Sequence, residues 1–333
     1  MAVRSTPAKS SKQDQLTWRA RLHVFQRRYA PYIFISPFFI LFFIFGLFPI
    51  IFSIYLSFQR WDPVQGIGAM RFVGIENYQF LFSDPWFWQS VYNTFWLAIV
   101  SGVPQHLIAI PLAFALIVLL PKARNLISGM VFVPYIASTV AIALVFGTFF
   151  GFRYGLFNAL LSYLAAASWS GWLFGGLQDA LPINWLGQAT YVKPAIATFV
   201  FWKYFGFNTV LYSTGFASIP SEYYEAAEVD GASTWQKFWH ISMPLIRPIA
   251  FFAITLSIIG NLQMFDEPFI LTGGEGGPAR SGMTVVLYLY RTGFSWSDMG
   301  TAAAMSWVLF FIIGIFTAIQ FLVMGRGSLE RRE

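Results

Sequence analysis

Polar side chains stand inside long apolar stretches of the sequence, where they are the groups best placed to bind a solute. Asn208 and Tyr212 are four residues apart and share one face of a helix. Gln263 and Asp266 are three apart, and Asn261 precedes them. Amide, phenol and carboxylate groups form directional hydrogen bonds with hydroxyl groups. A polar group facing lipid is costly, so each must face a cavity or a neighbouring helix, and both remain open.

Lys203 lies near the middle of an apolar stretch, where a charged group needs an explanation. Its ammonium either neutralises Asp266 or Glu267, or extends along its aliphatic stem to the membrane interface. The sequence leaves both roles open.

The residues needed for catalysis or metal binding are missing from the sequence. There is no cysteine, and the three histidines, His23, His106 and His240, are scattered. No Gly-x-x-x-x-Gly-Lys-Ser/Thr loop occurs, and the glycine-rich stretch 273–277 lacks the lysine that such a loop needs. We therefore assign no catalytic residue, no metal site and no cofactor to this chain, which we expect not to be an enzyme.

Composition indicates a membrane protein. Of the 333 residues, 57% are hydrophobic, 20% aromatic and only 11% charged. A helix needs roughly 20 apolar residues to cross the hydrocarbon core of a bilayer. Six stretches are long enough, which predicts an all-α integral membrane protein with six transmembrane helices, kinked where Pro104, Pro111 and Pro134 fall. They lie near 33–57, 91–119, 127–150, 192–215, 248–271 and 300–324.

The basic residues indicate the orientation, because cytoplasmic loops retain Lys and Arg. They concentrate at 4–28, 122–124, 237–247 and 326–332, which a six-span topology places on one side. Both termini are therefore expected in the cytoplasm. The formal net charge of +6 fits this topology and anionic lipid better than nucleic acid. We expect three parts: a flexible basic cytoplasmic tail, a transmembrane domain and a short cytoplasmic C-terminal tail, at 1–30, 31–325 and 326–333.

Residues 219–244 form a polar island between two apolar stretches, and local signals predict a helix-turn-helix. Ser221 is expected to cap the first helix, and Gly231 to end it. Ser233 and Gln236 have the spacing of a capping box, and Pro244 is expected to close the second helix. Three aromatic residues then share one face, which predicts a docking surface: Trp235, Phe238 and Trp239.

The order Glu225-Ala226-Ala227, then Gly231, then Ile241-Ser242-Met243-Pro244 resembles the EAA coupling loop of importer-type ABC transporter permeases. The family usually has leucine where Met243 stands. The resemblance implies that Glu225 pairs with a basic residue of an ATPase, that Ala226 and Ala227 allow close packing, and that Gly231 makes the turn. Without the resemblance, an amphipathic hairpin lying on the membrane surface is the competing reading.

A wider resemblance covers about residues 30–325 and points to the sugar-permease branch of these importers, the maltose and glycerol-phosphate type. It rests on three further patches: Ser36-Pro-Phe-Phe39, Phe72-Val-Gly-Ile-Glu-Asn-Tyr78 and Leu271-Thr-Gly-Gly-Glu-Gly-Gly-Pro278. It implies a bacterial cytoplasmic (inner) membrane location, a second permease subunit in a heterodimer, an extracytoplasmic solute-binding protein, and two ATPase subunits that bind ATP and Mg.

The solute implied by the resemblance is a sugar or oligosaccharide, and faces such as Tyr204 or Trp202 are able to stack on a pyranose. A permease for a polyol or glycerol phosphate is an alternative within the family. A secondary, ion-coupled carrier is the alternative outside it, although such a carrier needs no docking hairpin. Neither the particular sugar nor the identity of the partner permease follows from the sequence.

Overall fold

The structure is a computed structural model that describes Trp18, Phe25 and residues 29–167 and 175–325. Most of the predicted tail 1–30 and all of the tail 326–333 lie outside the described residues. The chain divides into two compact units, Met1–Leu56 and Ser57–Glu333. Apart from Trp18 and Phe25, the described part of the first unit is helix α1, Tyr29–Ser57, which reaches one residue into the second unit.

The second unit opens with two short antiparallel strands, in which Gln59 pairs with Phe72 and Arg60 with Arg71. Its elements are β1 Gln59–Arg60, β2 Arg71–Phe72, α2 Glu76–Ser83, α3 Pro85–Leu119, α4 Arg124–Ile136, α5 Thr139–Phe149, α6 Leu156–Ala166, α7 Ala189–Ala217, α8 Ser221–Val229, α9 in three consecutive segments Thr234–Gln236, Lys237–Ser242 and Met243–Leu245, α10 Arg247–Leu262, α11 Asp266–Leu271, α12 Val285–Tyr290 and α13 Met299–Met324. Short 3-10 turns at Pro63–Gln65, Ile67–Ala69, Gly175–Ala180 and Pro278–Arg280, and a π-helical turn at Arg291–Ser295, complete the described part.

Four of these helices are long and apolar enough to cross a membrane: α1, α3, the α10–α11 stretch Arg247–Leu271, and α13. The bent pair α4 and α5 makes a fifth if it counts as one span. Helix α7 has 29 residues, but two lysines and an asparagine interrupt its apolar sequence, and it is not among these four. The described residues thus give four or five spans by length and composition.

The stretch 127–150, expected as one kinked span, is two helices that meet at an angle of 95°. Pro134 lies inside α4, where it removes one backbone donor, and the helix ends two residues later at Ile136. The two halves then have different neighbours, since α4 packs on α7 whereas α5 packs on α11. The expected kink is therefore a full change of direction.

Packing of α3 against α7 and α10 forms the centre of the second unit. Near the start of α3, the Asn93 amide donates to the carbonyl oxygens of Arg280 and Met283, at 3.0 and 3.1 Å. Near its other end, the ring of Phe114 lies 5.0 Å from that of Phe238 in α9. About 30 Å of helix separates these two contacts at 1.5 Å per residue. The loop 273–283 and the α8–α9 hairpin therefore lie at opposite ends of a bundle about as long as a bilayer core is thick.

Candidate functional site

A cavity of about 250 Å³ lies in the second unit between α3, α4, α7, α10 and α11. Aromatic and aliphatic groups form part of its wall, including the rings of Tyr135 and Phe207, which stack at 4.4 Å. The polar groups of the wall come from five helices: Gln105, Tyr135, Tyr204, Asn208, Ser257, Asn261 and Glu267. Apolar walls with a few convergent polar groups are typical of small-molecule sites.

Two amides connect α3 and α7 at this cavity. The Nδ2 group of Asn208 donates to Oε1 of Gln105 at 3.1 Å, and both residues are buried. Nε2 of Gln105 donates to the carbonyl oxygen of Val200 at 3.5 Å. Oδ1 of Asn208 is buried and has no hydrogen-bond partner among the described residues. This acceptor is therefore enclosed by neighbouring atoms with its hydrogen-bonding capacity unmet.

Lys203 forms a buried ion pair with Glu267, with 2.9 Å between Nζ and Oε1. The two side chains are only 6% and 5% exposed. Nζ also donates to Oγ1 of Thr139 at 2.6 Å and to the hydroxyl oxygen of Tyr204 at 3.0 Å, and the Tyr204 hydroxyl donates to Oε1 of Glu267 at 2.9 Å. The sequence left two roles open for Lys203, and in the structure Lys203 pairs with Glu267.

The chemistry that this arrangement supports is noncovalent binding. Amides, hydroxyls and a carboxylate provide donors and acceptors, and rings provide flat apolar surface. No group of three or more metal-ligating side chains occurs in the described ranges. The wall is suited to hold a hydroxyl-bearing solute.

The α8–α9 hairpin lies at the other end of α7, and its turn follows the expected geometry. Gly231 has a φ of 74°, in the left-handed region that favours glycine. The Ala232 N–H donates to the carbonyl oxygen of Ala227 at 2.8 Å, and the Gly231 N–H to that of Glu228 at 3.0 Å. These bonds satisfy carbonyls that the helix end would otherwise leave free.

The start of the hairpin differs from the expectation. Ser221 is the first helical residue, and Pro220 precedes it with an extended ψ of 137° and no side-chain cap. A proline at the cap fixes the entry backbone, so the serine is displaced into the first turn. The predicted cap at Ser221 is therefore wrong.

The second helix begins as predicted. The Ser233 N–H donates to Oε1 of Gln236 at 2.7 Å, and the Gln236 N–H donates to Oγ of Ser233 at 3.3 Å, which is a complete capping box.

Its end is not where it was predicted, because the helix continues through Pro244 to Leu245. The π-helical turn Lys237–Ser242 comes just before the proline and changes the spacing of the backbone hydrogen bonds. The N–H that Pro244 lacks therefore interrupts no regular series of α-helical hydrogen bonds.

The hairpin packs with one side on the bundle and leaves the other side open. Phe238 is buried against Phe114, whereas Trp235 and Trp239 are 69% and 47% exposed. The aromatic face is thus partly used inside the chain, not wholly available for docking. Glu225 and Ala226 lie on the exposed side.

Two contacts hold the hairpin helices together. Lys237 donates to Oε1 of Glu228 at 2.5 Å. The hydroxyl of Tyr224 lies 2.9 Å from Oγ of Ser242. Burial raises the pKa of Tyr224, and its hydrogen bond with Ser242 partly opposes that rise. The hairpin is therefore a packed unit, in which Glu225 makes no hydrogen bond or ion pair with any described residue.

Residues 105–326 match the family described as "Binding-protein-dependent transport system inner membrane component". The match covers the cavity and the hairpin together. The chain belongs to this family. It is a permease component of a transport system and not an enzyme, as the hairpin motif indicated.

This permease is similar over nearly its full length to named relatives. It is 33% identical to the arabinooligosaccharides transport system permease protein AraP of Bacillus subtilis (strain 168), over 95% of this chain and 94% of that protein. It is 32% identical to the lactose transport system permease protein LacF of Rhizobium radiobacter, over 87% of this chain and 92% of that protein. These relatives favour an importer permease over an ion-coupled carrier.

The permease also shares its fold with a solved structure, a bacterial ABC transporter involved in the import of the acidic polysaccharide alginate. The TM-score is 0.74 at 22% identity, over 92% of this chain and 99% of that chain.

The structure separates the five residues proposed for solute contact. Asn208 and Asn261 line the cavity of the permease. Tyr212 is buried nearer the hairpin, where its hydroxyl lies 2.8 Å from Nδ1 of His106. Gln263 lines a different cleft, formed with α13, and Asp266 is exposed. Gln263 and Asp266 therefore do not face one cavity together.

Sequence reasoning missed other wall residues. Glu267 lines the cavity, in place of the Asp266 that the sequence pattern indicated. Ser257 is four residues before Asn261 on α10, so helical spacing was a usable signal. Gln105 lies next to Pro104 in an apolar stretch, so it meets the same criterion, a polar side chain inside a predicted span, as the residues proposed from the sequence. Tyr204 lines the cavity, whereas Trp202 packs on Phe146 with 5.0 Å between rings.

Proposed function

We propose that this chain is the six-span permease subunit of an ATP-driven ABC importer for a sugar or oligosaccharide. The six spans are α1, α3, the bent pair α4 and α5, α7, the α10–α11 stretch, and α13. Both termini and the α8–α9 hairpin face the cytoplasm of a bacterial cell, as the basic residues favour.

One observation carries the proposal: the hairpin is inserted between two helices of the cavity wall. Helix α7 carries Asn208 and ends at Ala217, only four residues before α8 begins at Ser221. Helix α9 ends at Leu245, and α10, which carries Asn261, begins at Arg247. A force on the hairpin therefore acts directly on both walls of the cavity.

A sugar as the solute agrees with the side chains of the cavity wall and with the names of similar proteins. Similar proteins are named for arabinooligosaccharides and for lactose. The cavity presents amides, hydroxyls, one carboxylate and stacked rings, which complement the hydroxyls and the apolar faces of sugar rings.

The exposed side of the hairpin is the proposed contact with an ATPase. Glu225 offers a charge that no described residue neutralises, and Ala226 allows close approach of a partner. Ala227, Gly231, Ile241 and Pro244 complete the coupling loop. Two ATPase subunits bind ATP and Mg, a second permease subunit completes the pathway, and an extracytoplasmic binding protein delivers the solute.

Transport then follows alternating access. Closure of the ATPases draws the hairpins together, α7 and α10 move with them, and the cavity opens towards the binding protein. Hydrolysis resets the assembly.

Co-purification from the native host in mild detergent tests this proposal. We expect mass spectrometry to find two ATPase copies and a second permease with the wild-type chain, and vanadate to stop solute uptake into proteoliposomes containing that complex. An isolated chain, or uptake that stops on dissipating an ion gradient and not with vanadate, would overturn it.

A further inference from the structure

Two hydrogen-bond acceptors in the cavity wall have no donor. Oδ1 of Asn208 is buried without a partner among the described residues. Glu267 accepts its hydrogen bonds, from Lys203 and Tyr204, through Oε1 alone in the described part of the chain. Because Glu267 lines the cavity, Oε2 is the oxygen available to a solute. Oδ1 of Asn208 is enclosed, so Oε2 of Glu267 is the acceptor that makes the wall complementary to a solute that donates.

The cation beside the cavity has no donor to spare. A lysine ammonium has three N–H groups. Those of Lys203 go to Thr139, Tyr204 and Glu267, at 2.6, 3.0 and 2.9 Å. Lys203 therefore balances the charge of Glu267 without offering a hydrogen bond to a solute.

From this geometry we infer that Lys203 and Glu267 select for solutes without negative charge. The inference rests on the proposed function and makes it narrower, because it names the class of carbohydrate that the cavity takes. The pair keeps the wall at zero net charge while presenting a carboxylate oxygen to a hydroxyl group.

An anionic solute meets the opposite situation. A sugar phosphate or uronate at neutral pH adds charged groups that only accept hydrogen bonds. Near Glu267 these groups face a carboxylate oxygen, and all three N–H groups of the Lys203 ammonium already have partners. A neutral sugar hydroxyl donates to Oε2 of Glu267 and accepts from the Asn261 amide, which lines the same wall. The alternative of glycerol phosphate is thereby disfavoured.

The test compares matched solutes on the assembled importer without its binding protein, so that the binding protein does not filter them. The probes are lactose and an arabino-oligosaccharide, each paired with the aldonic acid made by oxidising its reducing end. Equilibrium dialysis with radiolabelled probes gives the affinity ratio within each pair. We expect the wild type to bind the neutral member of at least one pair at least tenfold more tightly than its acid.

Glu267→Gln removes the negative charge and keeps the shape, so the preference should fall below threefold. Glu275→Gln is the matched control. Glu275 lies in the loop 273–283, at the opposite end of the bundle from the hairpin, where it pairs with Arg291, and it does not line the cavity. This variant should leave the affinity ratio unchanged.

If Glu267→Gln alone fails to assemble, Lys203→Met combined with Glu267→Gln removes both charges and leaves no unpaired buried ion. We expect this double variant to assemble and to bind the neutral probe at least tenfold more weakly than the wild type.

Equal binding of both members of every pair by the wild type, or an unchanged ratio in Glu267→Gln, overturns the inference. So does wild-type affinity in the double variant, or binding of no probe at all. ATPases recovered in the same preparation separate the two proposals. A complex that retains them but binds acids equally well defeats only the charge selection, whereas a chain without them defeats the importer itself.

Discussion

Gly206 of α7 lies against the backbone of Val131 in α4, so closely that a Cβ built on Gly206 would stand 1.6 Å from the Val131 carbonyl oxygen. No side chain fits between these two helices. The contact fixes α4 on the helix that carries Lys203 and Asn208, while α5 turns away towards α11. One wall of the cavity therefore depends on this close approach.

Gly206→Ala should separate α4 from α7. The added methyl group meets backbone, which does not rotate away as a side chain does, and overpacking of this kind typically costs about 1–3 kcal/mol. We expect the apparent melting temperature of the purified permease to fall by at least about 2 °C, at about 2–4 °C per kcal/mol. Gly129→Ala is the control, because nothing lies within 4 Å of a Cβ at that position of α4. Equal melting of the two variants would contradict the close contact.

A second prediction concerns Asn77 in α2, whose buried amide donates to the carbonyl oxygens of Ser57 and Gln59 at 2.9 and 2.8 Å. Asn77→Ala removes both hydrogen bonds, and a buried hydrogen bond contributes about 0.5–1.5 kcal/mol to stability. We expect a clear drop in the apparent melting temperature. Gln79→Ala, at an exposed position of the same helix, should have little effect. The melting temperatures of both variants are measured by thermal scanning in the same detergent. A lower melting temperature for Gln79→Ala alone would refute the role predicted for Asn77.

Local signals in the sequence were sufficient where the structure is local. Gly231 adopts the expected left-handed φ, and Ser233 with Gln236 forms the expected capping box. Both features depend on residues within one or two turns of each other. The stretch 72–78 carries a family resemblance and no local signal, and in the structure its Asn77 bonds to Ser57 and Gln59 while its Glu76 pairs with Arg60.

Features that depend on distant packing were not predictable. Helical spacing from Gln263 to Asp266 assumed one continuous helix, but α10 ends at Leu262 and α11 begins at Asp266. The break changes which side chains face inward, so Glu267 lines the cavity in place of Asp266. Pro134 likewise indicated a kink, whereas the 95° bend follows from α4 and α5 packing on different helices.

Two glutamates of α8 should behave differently. Glu225 is exposed and makes no hydrogen bond or ion pair with any described residue, so Glu225→Lys should leave the melting temperature unchanged. By placing a positive charge where the ATPase contact is proposed, it should reduce ATPase co-purification and ATP-driven uptake at least about tenfold, because close charge pairs at interfaces contribute about 1.5 kcal/mol or more.

Glu228→Gln is the counterpart of this change. It weakens the contact with Lys237, which has a side chain only 9% exposed, and should lower hairpin stability by up to about 1 kcal/mol. Some uptake should remain, because the exposed side of the hairpin is intact. The same profile of melting and uptake in both variants would count against separate roles for the two residues.

The turn at Gly231 offers the sharpest test of the hairpin, because nothing lies within 4 Å of a Cβ there. A substitution therefore acts through the backbone alone, whose φ of 74° costs an ordinary residue about 1–2 kcal/mol. Asparagine tolerates this conformation better than alanine, and valine is the least suited to it. ATP-driven uptake should decrease in the order Gly, Asn, Ala, Val, with each chain still inserted in the membrane. If uptake instead followed side-chain size, with asparagine worse than alanine, the partner would be touching this position directly and the turn geometry would not be what limits coupling.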